Sequence, residues 1–396
     1  MTPEERELRR ALDSRSQEVS PEFRARLSSA LSAEGRPSSN FLPALAAVAA
    51  VVLVFATVGV LLLARQSRNQ PPPVAANTPT ASATPTPSPA PSPSAMVERG
   101  VINKPPSPVA LPASAQLSAP SSDVVWAFVL NEYLYRSTDR GASWEQRPMP
   151  ARRFGGVQFL EISFVSSQEG WLTMSGPGPG PNVYAAWILH TSDAGVTWQL
   201  LNTTGMGDFK GRNGLSFIDS NRGFLDAWDP NHAAVIYRTT DGGQTWMASQ
   251  PLPYPPSFKT VCVVCGLAEA GTVRAFGSTL LVSAWQLSDP GTQYVFRSID
   301  GGATWTYAAS PPRQEGNVDF VTATRWLELI GPGQSKESTD AGATWHASAS
   351  DYSQAAPVAA DFVFADSQVG YGTVRGEMSR TVDGGLHWIS LKSPGS

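Results

Sequence analysis

The sequence predicts an all-β protein, a β-propeller of six blades, and three observations carry that prediction. An eight-residue phrase recurs six times: STDRGASW (Ser137–Trp144), TSDAGVTW (Thr191–Trp198), TTDGGQTW (Thr239–Trp246), SIDGGATW (Ser298–Trp305), STDAGATW (Ser338–Trp345) and TVDGGLHW (Thr381–Trp388). Its central aspartates, Asp139, Asp193, Asp241, Asp300, Asp340 and Asp383, are 54, 48, 59, 40 and 43 residues apart, a period that belongs to solenoids, propellers and arrays. The third observation is compositional. Much of the proline lies between residues 71 and 112, whereas glycine and the 12 tryptophans fall almost wholly after it, the contrast between a linker and a turn-rich all-β body.

The octet reads as a stapled turn. Its aspartate accepts backbone N–H bonds, the glycine two residues later takes up φ > 0, and the flanking hydroxyls meet leftover amides. The closing tryptophan (Trp144, Trp198, Trp246, Trp305, Trp345, Trp388) opens the outgoing strand and packs against the neighbouring unit. A second phrase precedes the octet, as in ISFVSSQEGWLTM (Ile162–Met174), LSFIDSNRGFLDAW (Leu215–Trp228) and FVFADSQVGYGTV (Phe362–Val374). It supplies two strands joined by a short turn, so each repeat has four strands in an antiparallel meander. Six repeats over about 280 residues leave about 47 each, the size of a propeller blade. A seventh blade follows if the irregular stretch Lys259–Gly277 pairs as a unit of its own.

Together these phrases resemble the BNR or Asp-box repeat over roughly residues 114–396, with His387 alone replacing the usual hydroxyl. Sialidases, sortilin-type receptors and photosystem II assembly factors share the repeat, and the layout is nearest to the last, whose blades also combine a phrase like SFIDSNRGF with TTDGGQTW. The resemblance implies that the Asp box is a fold element on the side of the propeller away from a sialidase active site. On that reading the six aspartates are structural.

Upstream, residues 1–40 read as a short cytosolic tail with two weakly amphipathic patterns (Leu8, Leu12; Phe23, Leu27, Leu31). Its stretch VSPEFRARLSSAL resembles the juxtamembrane part of some anti-sigma factors. Residues 41–64 carry no charge and are long enough to cross a bilayer as one helix. Residues 65–113 form a Pro/Ser/Thr-rich stalk that cannot bury enough apolar surface to fold. The expectation is a single-span protein of the cell membrane, its N-terminus cytosolic and its propeller extracytoplasmic, motivated by the stalk and a slight arginine excess before Phe41.

Charge excludes one partner class. Net charge is -4 and no Lys/Arg block occurs, so nucleic acid is not an expected ligand. Cys262 and Cys265 cannot make a disulfide framework, and with four scattered histidines they make no metal set. No cofactor is implied. In a four-stranded meander the first and third turns share one face, and these are short and uniform. The second turns (Ser175–Tyr184, Asp229–Ala234, Gln286–Gln293) and the links between blades vary, and they lie on the other face. That face would present Arg152, Arg153, Asp208, Lys210, Arg212, Asp226, Trp228, Asp229, His232, Tyr254, Lys259 and Trp285, cations beside aromatics that suit a protein, peptide or glycan ligand.

A sialidase, by the family resemblance, needs three clamping arginines, a Tyr–Glu nucleophile pair, an Asp acid/base and a Phe/Tyr-Arg-Ile-Pro signature, and that tetrapeptide is absent. Arg136, Arg238 and Arg297 each sit directly before an Asp box, on the turn side. The reading is therefore a membrane-anchored, non-enzymatic binding propeller with no catalytic residues. The alternatives are a sialidase-like glycoside hydrolase and a transmembrane sensor with an anti-sigma-like tail.

Overall fold

The computed structural model describes residues 96–104 and 115–394 apart from 152–157, 178–183, 202, 207–211, 228–233, 257–266, 268, 287–288, 313–316, 331–333, 354–360 and 375–376. Six sheets are formed, each an antiparallel meander whose strands follow in chain order. Blade 1 comprises Ala115–Ser118, Val125–Val129, Tyr133–Ser137 and Glu145–Arg147, and blade 2 Gln158–Phe164, Gly170–Pro177, Tyr184–Thr191 and Thr197–Leu200. Blade 3 comprises Arg212–Phe217, Gly223–Ala227, Val235–Thr239 and Met247–Ala248. In blade 4 the innermost strand is split into Glu269–Ala270 and Arg274–Phe276, both pairing with Thr279–Gln286, and Asp289–Ser298 and Thr306–Ala309 follow. Blades 5 (Val318–Phe320, Trp326–Glu328, Lys336–Ser338, His346–Ala347) and 6 (Asp361–Phe364, Gly370–Val374, Glu377–Thr381, Ile389–Leu391) complete the set.

There is no seventh blade among the described residues, because the described part of Lys259–Gly277 supplies the inner edge of blade 4. Two of the expected long second turns are also corrected. In blade 2 the strands run on to Pro177 and Tyr184, and in blade 4 Gln286 pairs with Asp289. Both hairpins lengthen instead of looping, since paired backbone satisfies N–H and C=O groups that a loop would leave to water. A further strand, Val97–Arg99, adds to the outer edge of blade 2 through Thr197–Gln199.

Membrane topology is corrected as well. Among the described residues there is no helix at all, and none long and apolar enough to cross a membrane. The expected span 41–64, the tail and the cysteine pair lie outside the described residues, as does the stalk 65–113 apart from 96–104, where Val97–Arg99 pairs with blade 2 and Val101 with Met149. The single-span anchor, the membrane as partner and the placement of the propeller outside the cell are therefore set aside.

The second sequence phrase acquires a packing reason. Phe164, Phe217 and Phe364 stand directly across the ladder from Gly170, Gly223 and Gly370. Each ring lies over its glycine, so that a Cβ at Gly223 would come within 2.6 Å of Phe217. The other face of Phe164 stacks on Trp126 of blade 1 at 3.7 Å, and that of Phe217 on Trp171 of blade 2 at 3.6 Å. Glycine is required there by space, and the phenylalanine it admits joins two blades.

The Asp box has the same wiring in all six blades. In the first, the Ser137 hydroxyl donates to Asp139 Oδ1 (2.7 Å) and accepts the Gly141 N–H (2.8 Å). Asp139 also takes the Ser143 N–H (2.9 Å) and hydroxyl (2.6 Å). Those bonds, the Ser143 hydroxyl foremost, hold the Asp139 carboxyl down at about 2. In blade 6 the His387 Nδ1 replaces the hydroxyl, 2.5 Å from Asp383. Two consecutive left-handed residues complete the turn, and the first is not always glycine: Arg140, Ala194 and Ala341 have φ of 61°, 58° and 58°.

Two stability outcomes are expected. Gly223→Ala should cost about 1–3 kcal/mol through forced displacement of the Phe217 ring, and Asp241→Ala about 1–3 kcal/mol by stranding the amides of Gln244 and Thr245. Thermal melts followed by circular dichroism measure both. Melting temperatures equal to wild type would refute these two packing roles.

Candidate functional site in the central channel

Blades set around an axis meet without a shared ladder, so polar side chains of the inner strands join each to the next. Near the end of the inner strand serine does this work, one position before the phenylalanine in blades 2 and 3 and before Ala119 in blade 1. Ser118 accepts the Phe164 N–H (2.9 Å), Ser163 the Phe217 N–H (2.8 Å), and Ser216 donates to the Val273 carbonyl (2.6 Å). Two positions earlier in the strand, Gln116 accepts the Ile162 N–H (3.3 Å). Glu161 takes the Gly214 and Leu215 N–H groups (3.0 and 2.9 Å), and Asp361 that of Leu117 (3.2 Å).

Blade 5 breaks the pattern. Asp319 precedes Phe320 where the serines stand in blades 1 to 3, and its buried Oδ2 has no hydrogen-bond partner. Where a serine would have reached blade 6, Arg274 crosses from blade 4 and donates to the Phe364 carbonyl. Asp319, Asp361 and Arg274 line one cavity of about 220 Å³. Asp361 and Arg274 also line a larger one of about 740 Å³ whose wall draws on all six blades and includes Glu161. The larger cavity reaches the first turns (Pro120, Val165, Ile218), on the Asp-box side, where Gly242 is bonded to Asn221 of the first turn. The smaller one reaches Trp285 and Gln293, towards the second turn of blade 4. The ring is thus hollow, and the two carboxyls and the guanidinium sit at its waist.

The electrostatics differ from those of the Asp boxes. Asp361 is exposed to the channel while Asp319, Arg274 and Glu161 are half-buried; enclosure by the surrounding blades raises the Asp361 carboxyl to about 6, against the opposing pull of the Leu117 N–H and of Arg274. Asp319 is driven well above the ordinary carboxylate range by the same enclosure and then by the charge of Asp361, with Arg274 again opposing. Glu161 is also raised by burial, offset by its two backbone donors. All three carboxyls are thus shifted towards the protonated form, the opposite of the Asp boxes.

The residues expected on the variable face fall elsewhere or beyond view. Asp226 is buried and ties blade 3 to blade 4 by accepting the Ala270 N–H (2.9 Å). Tyr254 is exposed after blade 3, and Arg212 opens its inner strand opposite Ala227. Trp285 is half-buried and lines the smaller cavity. Arg152, Arg153, Asp208, Lys210, Trp228, Asp229, His232 and Lys259 lie outside the described residues. The sequence reading missed Glu161, Arg274, Asp319 and Asp361. For Asp319 the available signal was a charge in the phrase VDF where the parallel phrases ISF and LSF carry serine. Among the described residues no cluster of His, Cys, Asp and Glu could hold a metal.

No family model matches the chain. Among curated proteins it is similar to a xyloglucanase, Xgh74A of Acetivibrio thermocellus, with 27% identity over 222 residues, 49% of this chain and 25% of that protein. The chain spans about a quarter of the length of the curated relatives it matches. Solved structures that resemble it include YCF48 of Cyanidioschyzon merolae (17% identity, TM-score 0.43, 74% of this chain and 87% of that one). YCF48 bound to a D1 peptide is another (18%, 0.40, 72% and 99%), as is the Trypanosoma rangeli sialidase (12%, 0.43, 70% and 53%). The six sheets of the chain form a six-bladed β-propeller. The expectation of a non-enzymatic binding protein is corrected by this similarity, since the curated proteins that the chain matches are xyloglucanases.

The waist makes a titration prediction. In Asp361→Asn the Asp319 carboxyl loses a repelling charge, so its pKa should fall, whereas Arg274→Met removes a favourable charge and should raise both carboxyls. Carboxyl-carbon NMR titration reads each shift. An Asp319 resonance that titrates identically in wild type and Asp361→Asn would disprove the coupling.

Proposed function

We propose that the chain is a carbohydrate-active propeller, a glycoside hydrolase-like protein whose acid and base are the carboxyls at the waist of the channel. The observation that carries this reading is the pairing of Asp319 and Asp361 in one cavity, each raised above the ordinary carboxylate range. Cleavage of a glycosidic bond needs a carboxylic acid on one side and a carboxylate on the other. Asp319 keeps its proton to higher pH and would give it to the leaving oxygen as the C–O bond breaks. Asp361, ionised above about 6, would take a proton from the water whose oxygen bonds to the anomeric carbon. Arg274 lowers the pKa of both carboxyls and would keep Asp361 charged. Glu161 and Asp226 serve the fold, each holding backbone N–H groups of the next blade.

The similarity to a xyloglucanase makes xyloglucan oligosaccharides the first substrates to try, with aryl glycosides as reporters. Hydrolysis should rise with pH through about 6 as Asp361 ionises, and fall again as Asp319 gives up its proton, a bell-shaped profile. Asp319→Asn and Asp361→Asn should each lower turnover roughly 100-fold or more with the melting temperature preserved. Retention of wild-type turnover in both variants would rule out the waist as the reacting centre.

A further inference from the structure

We infer that the smaller cavity is a binding subsite for a single neutral pyranose ring, with Trp285 as its platform. The inference rests on the carbohydrate reading above and names what that site holds. At about 220 Å³ the chamber falls below the range of cavities that take drug-sized ligands, which fits one sugar unit. Its walls combine an apolar face with fixed polar groups. Trp285, on the second strand of blade 4, is only half-buried, and Gly271 sits by the edge of its indole, where an added Cβ would lie 3.6 Å from the ring. The glycine leaves that part of the ring open, and an indole face suits the C–H face of a pyranose.

Opposite in chemistry stands an amide pair. Gln293 Nε2 donates to Asn317 Oδ1 (3.1 Å) while Gln293 Oε1 accepts the Val318 N–H (3.2 Å), so both side chains are held in fixed orientations across blades 4 and 5. The amides offer donor and acceptor together, the pattern that ring hydroxyls require. The unpartnered Oδ2 of Asp319 belongs to the same chamber. With Asp319 holding its proton, the charges of Asp361 and Arg274 offset one another, so the chamber has no net charge to draw an acidic sugar.

The test uses the full chain carrying Asp319→Asn, in which turnover is removed, with methyl β-glucopyranoside as the neutral probe and its glucuronide as the acidic one. Calorimetry and saturation-transfer NMR should report binding of one equivalent of the neutral probe. Trp285→Ala should weaken it at least tenfold, and Gly271→Val, which covers the ring edge while leaving the tryptophan in place, should do the same. Asn317→Ala should weaken it in a protein of unchanged melting temperature. Unaltered binding in Trp285→Ala and Gly271→Val, no binding of either sugar, or preference for the glucuronide would overturn the inference. The two readings fail separately: a chain that binds the sugar through Trp285 yet hydrolyses nothing keeps the subsite and loses the acid chemistry. Turnover that depends on Asp319, with KM unmoved by Trp285→Ala, does the reverse.

Discussion

Everything in this ring depends on how blades are joined where no ladder can join them. Backbone groups of an inner strand that face the neighbouring blade are shielded from bulk water, and each unmet one costs free energy. The sequence meets them with short polar side chains, Ser118, Ser163 and Ser216, and with longer ones, Gln116, Glu161 and Asp361, each reaching one blade forward. Closure of the ring uses the same device: Asp361 of the last blade accepts from Leu117 of the first, and Trp144 donates to the Lys392 carbonyl. Among the described residues no strand is exchanged between the first and last blades to lock the circle.

The same side chain, aspartate, is used in two opposite electrostatic states. In the Asp boxes it sits at the rim with hydroxyl and amide donors around it, and in Asp139 and Asp340 the carboxyl is held at about 2, by the hydroxyls of Ser143 and Thr344 first. Such a group is ionised at any physiological pH and is a permanent acceptor. At the waist the donors are few and the blades close round the carboxyls, so Asp319 and Asp361 move the other way. Only the second environment leaves a proton available for transfer.

Legibility in the sequence follows from this division. The Asp box is local, eight residues wired to themselves, and a repeated local phrase can be read without knowing the fold. The phenylalanine and glycine of the phrase before it are also visible, although their reason, a ring lying across a glycine and onto the previous blade's tryptophan, needs the register. The left-handed turns at Arg140, Ala194 and Ala341 leave no trace, since the adjacent glycine already accounts for the turn. The waist was illegible for a different reason. Glu161, Arg274, Asp319 and Asp361 are spread over 200 residues, and only the circular arrangement brings them together. Attention to variable loops drew the reading to the rim, and of the residues named there Trp285 is the one that lines a cavity.

The site also arises from a specific irregularity. Five inner strands are continuous, but that of blade 4 breaks between Ala270 and Arg274, with Gly271 still bonded to Ser283 across the gap. A regular strand places alternate side chains on opposite faces, and the break re-aims Arg274 towards blade 6, where it takes the Phe364 carbonyl. That leaves the serine position of blade 5 with nothing to bridge, and an aspartate occupies it. The break and the aspartate meet in one place: Gly271 and Thr272 of the broken strand and Asp319 of the facing blade line the same smaller cavity.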